Sequence, residues 1–179
     1  MNTLHPVIKF KRVNPDAPIP TKAHTSDAAY DLCAMEDVTL APGEWKMVGS
    51  GIACAIPEGW CGMVYPRSGL GCKGLVLKNT VGVIDSAYRG EIKIPLFNNN
   101  PTHTWIHRKG PVFGTEVTEL IANDDGVIHV RKGDRVAQMR IEMVPDTTLV
   151  EVDELDTTER NKGGFGSSGV SSISGGERL

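Results

Sequence analysis

Arg67, Ser68, Gln138, Arg160, Ser167 and Ser168 can all donate hydrogen bonds to phosphate oxygens, and the backbone N–H groups of Gly163, Gly164 and Gly166 add flexible donors. Asp27, Asp31 and Asp85 supply carboxylates suited to a general base and to a hard cation such as Mg2+. Tyr88 and Phe165 offer flat apolar faces. Charge for phosphates, a plane for a base and a hard cation between them are what a nucleoside polyphosphate needs. The chain has no G-x-x-x-x-G-K-[ST] loop, so such a site has to be built from scattered loops.

Each stretch also admits a plainer role. In "SDAAYDLCA", Asp27 and Asp31 fit an Asx turn before a strand. In "PRSGLG", Pro66 ends a strand and Ser68-Gly69 opens a turn whose N–H groups, flanked by Arg67, favour an anion, although Ser-Gly turns are common. "NTVGVIDSAYRGEIK" reads as a hairpin in which Asp85 follows Val83 and Ile84 directly. That carboxylate is either a turn acceptor or a positioned base, and Tyr88 is either a core aromatic or a platform. In "RKGDRVAQ", Asp134 and Arg135 pair with charges nearby, and Gln138 is the polar residue of an apolar strand, pointing outward in the plain reading.

The elements that must position these residues are short. Glycine and proline, 20 and 11 of 179 residues, cut the chain into brief apolar runs, the rhythm of an all-β sandwich or barrel. "HPVIKFKRV", "EWKMVGSGIACAIP", "WCGMVYP", "EIKIPLF", "VIHV", "RVAQMRIEMV" and "TTLVEV" read as strands. Ile92, Ile94 and Leu96 alternate with Glu91 and Lys93, so one face of that strand is apolar. A single helical turn fits Ser68 to Lys73. Asp125-Gly126, between β-rich runs, predicts a protruding hairpin over 111–130.

Hydrophobic residues make up 40% and charged residues 23%, with a net charge of −3, which argues against a nucleic-acid or membrane-surface binder. The first residues lack the apolar core of a signal peptide, and no run is long enough to span a bilayer, so a cytoplasmic protein is expected. Cys33, Cys54, Cys61 and Cys72 have neither C-x-x-C nor zinc spacing and read as reduced thiols.

Taken together, "SDAAYDLCA", "PRSGLG", "NTVGVIDSAYRGEIK", "RKGDRVAQ" and "RNKGGFGSSG" occur in the order and spacing of the five motifs of the trimeric dUTPases, and the chain resembles that family along nearly its whole length. The resemblance implies a jelly-roll-like β-barrel subunit of the β-clip type. It further implies a homotrimer whose C-terminal arms are exchanged, with residues 1–158 as the barrel domain and 159–179 as a flexible arm. Carried over motif by motif, Asp85 would activate the water that attacks the α-phosphorus of dUTP, releasing dUMP and pyrophosphate. Tyr88 would pack on the deoxyribose and leave no room for a 2′-hydroxyl. Asn79, with the backbone of Gly82, Val83 and Ile84 in a 79–90 hairpin, would read uracil. Arg67, Ser68, Gly69 and Gln138 would hold phosphates, and Asp31 would meet Mg2+ through water. Arg160, Phe165, Gly166, Ser167 and Ser168 would close over the substrate, with Phe165 on the uracil and Arg160 on the γ-phosphate.

Asn161 stands where the family usually has glycine, and asparagine tolerates the left-handed conformation that glycine permits. Ala28-Ala29 and Ala87 are further departures, none at a residue with a chemical role. The 111–130 segment is an insertion relative to compact members, and a protein partner for it, in a regulatory binding role of the fold, is the alternative to catalysis alone. A dCTP deaminase on the same fold would present a glutamate where Asp85 stands.

Overall fold

The computed structural model describes residues 5–109, 116–122 and 126–164. The chain falls into two compact units, Met1–Asp146 and Thr147–Leu179. The first unit holds every strand of the described residues: β1 (Lys9–Arg12), β2 (Tyr30–Cys33), β3 (Val38–Leu40), β4 (Trp45–Ala55), β5 (Trp60–Pro66), β6 (Leu75–Leu77), β7 (Gly82–Ile84), β8 (Glu91–Asn98), β9 (His103–Lys109), β10 (Glu116–Ala122), β11 (Ile128–Val130) and β12 (Arg135–Met143). One helical turn, α1 (Ser68–Gly71), follows β5. Among the described residues no helix is long and apolar enough to cross a membrane.

Two four-stranded antiparallel sheets form the body, β1-β4-β8-β6 and β2-β12-β5-β7. The chain crosses from one to the other at nearly every connection: β4 lies in the first, β5 in the second, β6 in the first, β7 in the second and β8 in the first. This alternation makes the fold a jelly-roll-like all-β barrel. The apolar inner faces meet in one core. The first sheet contributes Val48, Leu75, Leu77, Ile92, Ile94 and Leu96, and the second contributes Leu32, Val64, Val136, Ala137 and Met139. Ile92, Ile94 and Leu96 are buried as their alternation predicts, while Lys93 faces solvent. β5 occupies the predicted "WCGMVYP" run, and the helical turn forms where expected. All four cysteines are free thiols.

Three expectations are corrected. Residues 147–152 form no strand: Leu149, Val150 and Val152 are 98%, 74% and 56% exposed, and an alternating run needs a partner edge to become a strand. The inserted hairpin is built from β9 and β10, registered from His103↔Ala122 to Lys109↔Glu116, so its two arms do not flank Asp125-Gly126. The strand after Gly126, β11, pairs with β3 instead. Lastly, the two arms of 79–90 do not form a hairpin: β7 is registered on β5, whereas β8 is registered on β4 and β6. The tight turn between them carries the chain from one sheet to the other.

Candidate active site

Of the predicted phosphate-binding residues, Arg67, Ser68, Gly69 and Gln138 gather at one end of the second sheet. Gln138 of β12 stands opposite Asp31 of β2 on one side and Tyr65 of β5 on the other. Its amide Nε2 donates to the carbonyl of Pro66 at 2.9 Å, so Gln138 does not point idly into solvent. Beyond Pro66 the chain turns into α1, with Arg67 at the N-cap and Ser68 and Gly69 exposed. The Asp31 carboxylate sits between two guanidinium groups: Arg67 Nε is 3.0 Å from Oδ1 and Arg135 Nη1 is 3.1 Å from Oδ2. Arg67 also donates through Nη1 to the carbonyl of Arg135 at 3.1 Å. Two guanidiniums against one carboxylate leave the cluster with one net positive charge beside the free N–H end of α1, an arrangement that attracts a polyanion.

Arg135 is the residue that sequence reasoning undervalued. It was expected only to pair with nearby charge. A register shift in the β12–β2 pairing between Arg135 and Ala137 offsets it from the regular ladder, toward Asp31. Periodicity along β12 cannot announce such a bulge. Asp27, by contrast, closes a local turn before β2, accepting through Oδ2 at 2.8 Å from the N–H of His24, three residues earlier, where an Asx turn would take its donor from the residues that follow.

The second group occupies the crossing turn after β7. Tyr88 N–H donates to the Asp85 carbonyl at 3.1 Å. Arg89 Nη1 donates to the carbonyls of Ser86 and Tyr88 at 2.6 and 2.8 Å. The Tyr88 hydroxyl donates to the carbonyl of Glu91 at 3.0 Å. The turn is therefore braced by its own residues, and it presents the Asp85 carboxylate and the 44%-exposed Tyr88 ring together. Exposed Asn79 precedes β7, with its amide nitrogen 3.4 Å from where a Cβ on Gly82 would lie. Asp85 opens into a groove with Glu58, Trp60, Cys61 and Pro145. The Cys61 thiol is pushed above its ordinary pKa, first by burial and then by the negative charges of Glu142 and Asp85.

Within one chain these two groups are far apart. Ile84 is registered opposite Gly62, which sets Asp85 level with Cys61, while Arg67 lies past the other end of β5. Six residues at ~3.3 Å each separate those levels by roughly 20 Å along the strand. In the second unit, Arg160 Nε donates to the Gly163 carbonyl at 3.0 Å and Gly163 N–H returns to the Arg160 carbonyl at 2.9 Å. Asn161 has φ 43, the left-handed conformation expected for a residue standing in for glycine. Phe165, Gly166, Ser167 and Ser168 lie outside the described residues.

The dUTPase family model matches residues 15–109 and 114–169. This chain belongs to the dUTPase family. Among this dUTPase's relatives, the deoxyuridine 5′-triphosphate nucleotidohydrolase of Nocardia farcinica is 45% identical over 170 residues, covering 94% of this chain and 88% of the relative. That of Rhodococcus erythropolis is 41% identical, covering 94% and 90%. Among solved structures, the dUTPase of Staphylococcus bacteriophage 80alpha with dUpNHpp superposes with a TM-score of 0.74 at 32% identity, covering 92% of this chain and 99% of that one. The dUTPase of S. aureus phage phi11, known for a species-specific insert, gives a TM-score of 0.68 at 28% identity, covering 85% and 99%.

The described residues of this dUTPase contain no cluster of three or more side chains able to cage a metal. Both Asp31 oxygens are taken by arginines. Such a donor set offers no protein cage and would fit Mg2+ only where phosphates and water supplied most of its ligands.

Proposed function

We propose that this protein hydrolyses dUTP to dUMP and pyrophosphate. The observation that carries the proposal is the pairing, in a dUTPase-family chain, of a braced turn presenting Asp85 and Tyr88 with a net-positive cluster of Asp31, Arg67, Arg135 and Gln138. Asp85 accepts the proton of the water that attacks the α-phosphorus, and exposure of its carboxylate leaves room for that water. Tyr88 lies under the deoxyribose, Asn79 and the Gly82–Ile84 backbone face uracil, and a closed pocket there excludes the thymine methyl by clash. Arg67, Ser68, Gly69 and Gln138 hold the triphosphate in line for attack. Mg2+, when carried in on the substrate with Asp31 meeting it through a water, would supply charge neutralisation at the phosphates. Arg160, Phe165, Gly166, Ser167 and Ser168 of the fifth motif are the remaining residues assigned to the substrate, with Phe165 for uracil and Arg160 for the γ-phosphate, and glycine there allows backbone to approach phosphate closely.

The roughly 20 Å between Asp85 and Arg67 supports a site completed across copies, with the turn of one subunit facing the positive cluster of another. A homotrimer supplies three such sites. Pyrophosphate release from dUTP, dCTP, dTTP and UTP tests the assignment: activity confined to dUTP is expected, and strong dCTP turnover or none on dUTP rejects it.

A second role has one observation in its favour. Strands β9 and β10 form a sheet of their own, hydrogen-bonded to no other described strand, and a projecting hairpin of this kind is suited to a protein partner.

A further inference from the structure

We infer that Gly90 is a specificity-determining residue, acting through Tyr88 to set how strongly a ribonucleotide is rejected. The inference rests on the dUTP-hydrolase reading above, and it concerns a residue with no side chain and no chemistry of its own.

The Tyr88 ring folds back across the turn so that its hydroxyl reaches the Glu91 carbonyl at 3.0 Å. The path of the ring runs directly over Gly90. A Cβ built on Gly90 collides with the Tyr88 hydroxyl and Cζ, and its third neighbour is another atom of the same ring. All three of its nearest atoms belong to Tyr88, so the tyrosine ring is the first thing a side chain there would meet. Nor does φ at Gly90 fall in the left-handed region where a side chain is strained. The position is exposed, and the clashing group is the far end of a surface side chain. An alanine there is thus accommodated by swinging the ring outward, without disturbing the sheets.

The acceptor is itself immobilised. Glu91 begins β8, where its carboxylate Oε1 accepts the N–H of Gly51 at 2.8 Å in the irregular stretch of β4 between Gly49 and Ala53. Gly49 leaves room for that carboxylate, because a Cβ there would overlap it. The Glu91 carbonyl is held at a fixed point of the barrel, and the Tyr88 hydroxyl is tied to it. The ring face offered to a sugar is consequently fixed at both ends, by the Asp85 turn and by β8. Rejecting a hydroxyl by clash needs a wall that does not yield. A ring displaced by a methyl on residue 90 is a wall that yields.

The experiment measures kcat/KM for dUTP and UTP, with thermal unfolding, in the parent protein, Gly90→Ala and Tyr88→Phe. The parent is expected to hydrolyse dUTP and discriminate against UTP, and failure of that control rejects the hydrolase reading, not the role of Gly90. In Gly90→Ala the dUTP:UTP ratio of kcat/KM should fall by about 10-fold or more, the worth of one misfitted group, with an unfolding temperature close to the parent's. Tyr88→Phe keeps the ring and loses the bond to Glu91, so its ratio should fall in the same direction by less. A parental ratio in Gly90→Ala, or equal loss on both nucleotides, overturns the inference. Should Gly90→Ala not fold, an undiminished ratio in Tyr88→Phe overturns it.

Discussion

Asp31 Oδ1 lies 3.0 Å from Arg67 Nε, joining the middle of the first motif to the start of α1 across the intervening strand β12. Arg135 completes the arrangement on Oδ2 at 3.1 Å. The two guanidiniums hold one another in place through a shared carboxylate, leaving a surplus positive charge for substrate. Arg135→Ala should therefore raise KM for dUTP on the order of 3–10-fold with a smaller change in kcat, the signature of lost uniform binding. Steady-state kinetics at two salt concentrations checks it, and a kcat effect larger than the KM effect would argue that Arg135 acts in the chemical step.

Asp85→Asn keeps the shape of the crossing turn, since the turn is closed by the Asp85 carbonyl and not by its carboxylate. Binding of a non-hydrolysable dUTP analogue should persist while kcat falls ~10²–10⁴-fold, the usual scale of general-base catalysis. Isothermal titration and single-turnover kinetics separate the two quantities. Turnover near the parental rate would remove Asp85 from the base role.

The insert should be removable. Buried Asn98, at the end of β8, donates through Nδ2 to the carbonyls of Leu40 and Gly126 at 2.9 and 2.7 Å, and accepts from the Asn100 N–H at 3.0 Å. One side chain therefore clasps the chain where it leaves the barrel and where it returns. Replacing residues 101–125 by a short glycine linker should leave a folded protein that still hydrolyses dUTP, because β9 and β10 pair only with each other among the described strands. Circular dichroism and pyrophosphate release report the outcome, and a deletion that unfolds the barrel shows that the clasp needs the hairpin.

Cys61 offers a probe of the charge on Asp85. Its thiol is raised by burial and by the Glu142 and Asp85 carboxylates, and the Cys33 and Cys54 thiols are raised chiefly by burial. The folded state thus favours the neutral thiols. That contribution is complete below the ordinary thiol value of 9.0 and is lost as pH climbs through the raised values, so unfolding temperature should drop above about pH 9. Alkylation should label exposed Cys72 first and buried Cys54 last. Asp85→Asn should speed labelling of Cys61 alone, up to about threefold. An unchanged rate would place the Asp85 charge elsewhere.

Much of this was legible in the sequence because it is local. Proline and glycine bounded β5 at Trp60 and Pro66, and period-two alternation named Ile92, Ile94 and Leu96 as core. The motifs pointed to Asp31, Arg67 and Gln138, which the fold does bring together. What failed was pairing, which no single segment encodes. The 79–90 stretch has the composition of a hairpin, yet its arms join opposite sheets. Asp125-Gly126 has the composition of a hairpin turn, yet the Gly126 carbonyl is taken by Asn98 and Asn100, and the strand that follows, β11, pairs with β3. Residues 147–152 alternate like a strand and find no edge within their own unit.

The measurement bearing most directly on the account mixes two disabled proteins. One carries Asp85→Asn, and the other Arg67→Ala with Ser68→Ala. Each alone should be nearly inactive towards dUTP. Unfolded together and refolded, they should regain activity at roughly a quarter of the sites, where the intact turn of one copy meets the intact positive cluster of another. If both groups served a site within a single copy, no mixture could contain an intact one. Mixed assemblies that form and still release no pyrophosphate would contradict the account.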